Sequence, residues 1–157
     1  MDEVSSLAWG AYLGTYNGIN AWSNGASIYF GPYGFYGYQF QSVEYVNRYF
    51  VLVKGKANMR GMGYANAYCS GRPGGITVYA NGGMTAPQAG DFLASAGGLY
   101  GHVGIIREVG ANYVKVIQEN WSNTAMDNSV TLAMFVAGGR YMVNGFSGAY
   151  PVACWGR

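Results

Sequence analysis

The chain has 157 residues, among them 26 Gly, 15 Tyr and 4 Trp, and its nine basic and seven acidic side chains leave a net charge of +2. That length suits one domain spanning residues 1–157, large enough to bury about two thirds of its unfolded surface. With 50% apolar and 17% aromatic residues a disordered chain is excluded. No apolar run approaches the roughly 18 residues of a membrane span, and the charge is too balanced for a nucleic-acid footprint. One His and two Cys argue against a zinc or calcium site, so no metal and no cofactor is expected.

The opening MDEVSSLAWG carries acids where a secretory signal would carry Lys or Arg. Three readings follow: a signal already removed, export by another route, or a cytoplasmic protein. Cys69 and Cys154 permit one disulfide or two separate thiols, so they leave the compartment open.

In chain order, residues 2–13 read as a short amphipathic helix. Val4, Leu7, Ala8 and Ala11 fall at helical spacing, Asp2 and Glu3 lie in the first turn, and Gly14 can end it. From Val4 to Val43 there is no charged residue. That stretch is rich in Gly, Asn, Ser and Tyr and reads as extended loop with a few short strands. A second helix is expected from Ser42 to about Val53, with Val43, Val46, Phe50 and Val53 as its buried stripe and Glu44 in its first turn. Residues 57–85 read as loops around a short helix.

The C-terminal half reads as β. Candidate strands are Asp91–Ser95, the two arms GHVGIIREV and YVKVIQEN, Ser129–Val136, Gly139–Val143 and Val152–Trp155. Helices followed by an antiparallel sheet make the fold class α+β. A hairpin loop at 110–112 pairs Val109 with Tyr113, and then sets His102 opposite Asn120 and Gly104 opposite Gln118. Side chains alternate along a strand, so His102, Gln118 and Asn120 share one face and Glu119 points to the other. A slip of one residue would exchange Gln118 for Glu119.

Five segments then carry a resemblance. GYQFQSVEYVNRYF (37–50) resembles the nucleophile segment of the CHAP family, the cysteine- and histidine-dependent amidohydrolases and peptidases. YNGINAWSNGA (16–26), PQAGDFL (87–93), GHVGIIREV (101–109) and VIQENWSN (116–123) resemble further family segments in the same order. The first two are also similar to bacterial glutathionylspermidine amidase domains. The resemblance implies a papain-like single domain, with N-terminal helices packed on an antiparallel sheet. By it, Ser42 stands where the family has its nucleophilic Cys, His102 is the base, Gln118 takes the acidic orienting position and Asn120 matches the family's Asn. Gln41 would shape the site, the backbone N–H of Ser42 would join an oxyanion hole, and Glu119 is the alternative orienter.

Two departures from the family pattern matter. Serine lacks the low pKa that makes Cys a nucleophile without a strong base, so this form is expected to be inactive or very slow. An inactivating Cys→Ser replacement and a naturally occurring serine both account for it. Gln118 can fix the imidazole's tautomer but supplies no charge to stabilise imidazolium. Elsewhere, Asp91 reads as turn chemistry and Glu44 as a first-turn acid. Trp22 and Trp121 are candidates for the rim of a substrate groove, with core packing as the alternative. The GRPGG run at 71–75 lacks the Lys-Ser/Thr of a phosphate loop.

The resemblance implies a peptidoglycan amide hydrolase cutting stem-peptide or cross-bridge bonds. A delivered antibacterial toxin, such as a type VI secretion effector, or a phage lysin is the expected setting. Its partners would be wall peptide and an immunity protein; no nucleic acid and no membrane insertion are expected, and the domain would be a monomer acting in the periplasm or at the wall. The alternatives are a cytoplasmic glutathionylspermidine amidase and a pseudoenzyme that only binds wall peptides.

Overall fold

The computed structural model describes residues 5–26 and 30–157. Its centre is a seven-stranded sheet whose neighbouring strands all run antiparallel. In spatial order it contains β10 (Arg140–Val143), β9 (Val130–Ala137), β8 (Tyr113–Ile117), β7 (His102–Val109), β6 (Phe92–Ser95), β11 (Val152–Gly156) and β5 (Val78–Ala80). Two small hairpins precede it, β1 (Tyr12–Tyr16) with β2 (Ile19–Trp22), and β3 (Tyr33–Gly34) with β4 (Gly37–Tyr38). One α-helix, α1 (Ser42–Leu52), packs on β7. No helix among the described residues is long and apolar enough to cross a membrane.

Period-two alternation divides the core between the two faces of the sheet. Phe92, Ala94, Val103, Ile105 and Ile117 pack under Tyr45, Val46, Tyr49 and Phe50 of α1. Leu93, Ile106, Val114, Val116 and Trp155 point the other way, and the far edge of the sheet adds Leu132, Met134 and Val143. The buried stripe of α1 is therefore wider than expected. Tyr45 and Tyr49 join Val46 and Phe50, Val43 is only partly buried, and Val53 lies past the helix end and exposed.

The helix expected over 2–13 does not form in its described part. Residues 2–4 lie outside the described residues, and Tyr12–Tyr16 is a strand. Gly10 takes a φ of +82°, which favours glycine. The backbone pairs elsewhere: Leu7 N–H bonds Asn123 O, and Gly10 and Ala11 exchange bonds with Ser23. Among the described residues the arrangement is thus one α-helix on a sheet rather than several. The short helix expected within 57–85 is a single 3-10 turn, Ala65–Ala67.

A disulfide joins Cys69, just past that turn, to Cys154 on β11, with Cα atoms 5.8 Å apart. Of the two readings left open for these cysteines, the bridge is the one realised.

The hairpin register holds at one end and not at the other. Near the turn Val109 pairs with Val114, not Tyr113, so the loop is one residue longer than expected. A bulge between Ile106 and Glu108 then absorbs one residue of β7, and Ile105 faces Ile117 as expected. The extra residue, Arg107, turns its guanidinium onto Asn128, 2.7 Å from both its carbonyl and its side-chain oxygen.

Candidate active site

An open cleft of about 470 Å³ forms where the N-terminus of α1 meets the start of β7 and the turn after β8. Gln41, Ser42, His102, Asn120 and Trp121 all line it, and Phe30, Tyr64, Tyr100 and Tyr150 supply its aromatic walls. Among the described residues that line it, none carries a charged side chain.

Ser42 is the first residue of α1, and Gln41 before it is extended (φ −83°, ψ 164°) with no side-chain cap. The first-turn N–H groups of Ser42 and Val43 are therefore not consumed inside the helix. The chain entering the helix is held from outside: Asn24 Oδ1 accepts from Phe40 N–H at 2.8 Å, and Trp9 Nε1–H donates to Gln39 O at 3.2 Å.

His102 is buried, with 3% exposure, and its Nε2 meets Gln118 Oε1 at 2.8 Å. Since that oxygen can only accept, the proton sits on Nε2 and Nδ1 keeps its lone pair. Burial lowers the imidazole pKa to about 4, against which the Gln118 bond acts as the opposing influence. The ring is neutral at pH 7. Trp121 and Phe146 clamp it, each with its ring centroid 4.7 Å away.

Glu119 faces the other way. Its Oε2 accepts from Trp22 N–H at 2.8 Å and from Arg48 at 3.1 Å. Arg48 also forks onto Glu44 at 2.9 and 3.2 Å and donates to Asn20 O at 2.7 Å. Burial and the neighbouring Glu44 carboxylate push the Glu119 carboxyl well up, with Arg48 opposing. Glu44 is thus more than a first-turn acid, since it belongs to a buried Glu44–Arg48–Glu119 cluster that ties α1 to the end of β8. Trp22 is not among the cleft's lining residues. It packs against Tyr12 and Phe40 behind the entry to α1.

Three positioning groups had no role in the sequence reading. Asp127, fully buried, accepts from the backbone N–H groups of Trp121, Ser122 and Asn123 and from Ser122 Oγ. It thereby folds the turn that carries Asn120 and Trp121. Asn123 Nδ2 donates to Asn120 Oδ1 at 3.1 Å, and Asn123 Oδ1 accepts from Asn24 N–H at 2.7 Å. With the Asn24–Phe40 bond, this relay joins Asn120 to the chain just before Ser42. The available signal was the rarity of Asp in an acid-poor chain. Asp91, by contrast, serves the turn and the C-terminus, accepting from Gln88 N–H at 2.8 Å and pairing with Arg157 at 2.8 Å.

The family model of the CHAP domain matches residues 31–120, which run from before β3 to Asn120 at the cleft. The chain belongs to the CHAP domain family. CHAP domains are hydrolases of the amidase and peptidase type associated with peptidoglycan. No curated protein matches the chain. Within this CHAP domain the matched span carries Ser42, His102 and Gln118, while the Asp127 turn and the last three strands of the sequence lie beyond it.

Proposed function

We propose that this CHAP domain is built to cleave amide bonds in the peptides of peptidoglycan, through a nucleophile at position 42 with His102 as the base. The observation that carries the reading is the shared cleft. Ser42 at the start of α1 and the Gln118-held imidazole line the same concave surface. The nucleophile's proton would pass to His102 Nδ1 as its oxygen or sulfur attacks the amide carbonyl. The Ser42 N–H faces the developing oxyanion, and His102 returns the proton to the leaving amine. Water, activated by the same imidazole, then hydrolyses the acyl-enzyme. Gln118 fixes the tautomer and Asn120 helps shape the site.

With a serine and a neutral orienter this cycle is very slow, and a cysteine at 42 is the active form. An antibacterial effector or lysin acting at the wall, checked by an immunity protein that closes the cleft, is the setting we assign. The Cys69–Cys154 bridge supports an oxidising compartment for it.

A second reading, a pseudoenzyme that binds wall peptides, has its own support. Gln118 and Ser42 both remove the charge that a thiolate–imidazolium pair uses, and one inactivating replacement would change only one of them. The uncharged cleft speaks against glutathionylspermidine, whose polyamine calls for acidic walls. The test is to incubate the Ser42→Cys variant with purified sacculi and with glutathionylspermidine, and read products by mass spectrometry. Muropeptide products support the hydrolase, cleaved glutathionylspermidine replaces its substrate, and neither product with a folded protein leaves the binding role.

A further inference from the structure

The cleft continues outward as a line of exposed rings. Phe30 on its wall lies 5.7 Å from Tyr38, edge to face, and Tyr38 lies 4.8 Å from Tyr33. The three are 49%, 43% and 53% exposed, where rings of this size ordinarily bury most of their surface. They are held ready rather than left loose. Tyr33 and Tyr38 are cross-strand partners in the β3–β4 hairpin. The Arg60 guanidinium lies 5.2 Å over the Tyr33 ring and donates to Gly34 O at 3.1 Å, and Asn58 donates to Phe35 O at 2.8 Å. Tyr64 and Tyr100, which also line the cleft, form a second exposed pair with ring centroids 4.5 Å apart. Ser42, Phe30, Tyr64 and Tyr100 thus line one cleft.

We propose that the Phe30–Tyr38–Tyr33 tract is a subsite for a neutral sugar chain running into the cleft. The chemistry of the surface selects that occupant. Sugar rings offer apolar C–H faces to stack on aromatic rings and hydroxyls for the tyrosine phenols, and they need no counter-charge. The cleft walls carry no charge, and the cation at the tract, Arg60, stacks over the Tyr33 ring and donates to Gly34 O. Rings fixed before binding lose little freedom on binding, which suits a weak, extended contact. The tract deepens the wall-hydrolase reading by holding the glycan while its peptide reaches position 42, and it rests on that reading for the identity of the polymer.

The probe is a hexamer of N-acetylglucosamine, titrated calorimetrically into the Ser42 protein and its Tyr33→Ala, Tyr38→Ala and Phe135→Ala variants. Phe135, exposed on β9, is the control. The hexamer is expected to bind, with affinity reduced about fivefold by each tyrosine variant and unchanged by the control. No binding, or tyrosine variants within about twofold of the parent while circular dichroism shows them folded, overturns the subsite. A parallel sacculus digest with Ser42→Cys separates the two claims. Digestion without hexamer binding removes the subsite and keeps the hydrolase. Hexamer binding through Tyr33 and Tyr38 without digestion keeps the subsite and removes the hydrolase.

Discussion

His102 and Gln118 meet across the β7–β8 hairpin through one hydrogen bond of 2.8 Å, with Nε2–H donating to Oε1. The bond orients the imidazole and leaves it uncharged, since burial lowers its pKa to about 4. A carboxylate in the same place would favour imidazolium. Gln118→Glu is expected to raise the His102 pKa by roughly 1–3 units, read by NMR titration of the chain's single histidine. In the Ser42→Cys background it should also raise turnover by about tenfold. An unmoved pKa would mean that position 118 does not contact the base.

The same burial makes stability depend on pH. Folded His102 takes its proton near pH 4, whereas in the unfolded chain it does so near the ordinary value of 6.5. Between these values the unfolded state binds more protons, so stability falls as pH drops from about 6.5 to about 4, by roughly 3 kcal/mol from this group. Urea unfolding of the parent and of His102→Gln at the two ends of that window measures it. The variant should lose correspondingly less stability on acidification, and an equally steep loss would place the acid sensitivity elsewhere.

Arg48 is shared by two buried carboxylates, and Glu119 is the one pushed up towards its neutral form. Glu119→Gln keeps the shape and the acceptor for Trp22 N–H, so it should change stability by less than about 1 kcal/mol. Glu119→Ala strands that donor and removes one of the arginine's three partners, and should cost roughly 3–5 kcal/mol. Chemical denaturation of both variants decides. Equal losses would show that the charge, not the hydrogen bonding, holds α1 to the end of β8.

Cys69 and Cys154 are 85 residues apart in sequence, and their bridge anchors the segment following Tyr64 and Ala65 of the cleft wall. Closing a loop of that length constrains the unfolded chain by about 4–5 kcal/mol. The Cys69→Ser/Cys154→Ser double variant should lose much of that, seen as a lower Tm, and added reductant should lower the parent's Tm similarly. A Tm indifferent to both would mean that the bridge adds nothing to folding.

The parts legible in the sequence were those fixed by short-range pattern. The start of α1 at Ser42 followed from the apolar spacing, and the shared face of His102 and Gln118 followed from strand alternation, whereas Asn120, expected on the same face, lies past the end of β8 with a φ of +56°. That second result survived two compensating departures: the longer loop moved the register by one, and the bulge at Arg107 moved it back. The N-terminal segment misled because Val4, Leu7, Ala8 and Ala11 happen to fit a helical period. Its backbone instead bonds to Ser23 and Asn123, partners distant in sequence that no local spacing reveals. Asp127, Asn24 and Asn123 escaped for the same reason, since each acts by bonding backbone or amide groups that only the folded chain brings close. Residue type left Trp22 open between the groove rim and core packing, and its ring packs against Tyr12 and Phe40.

The most direct test of the account is release of muropeptides from sacculi by three proteins: the chain as it stands, Ser42→Cys, and Ser42→Cys/His102→Ala. The account predicts products from Ser42→Cys alone, with the double variant folded and silent. Products from the double variant at the rate of Ser42→Cys, or none from a folded Ser42→Cys, would contradict it.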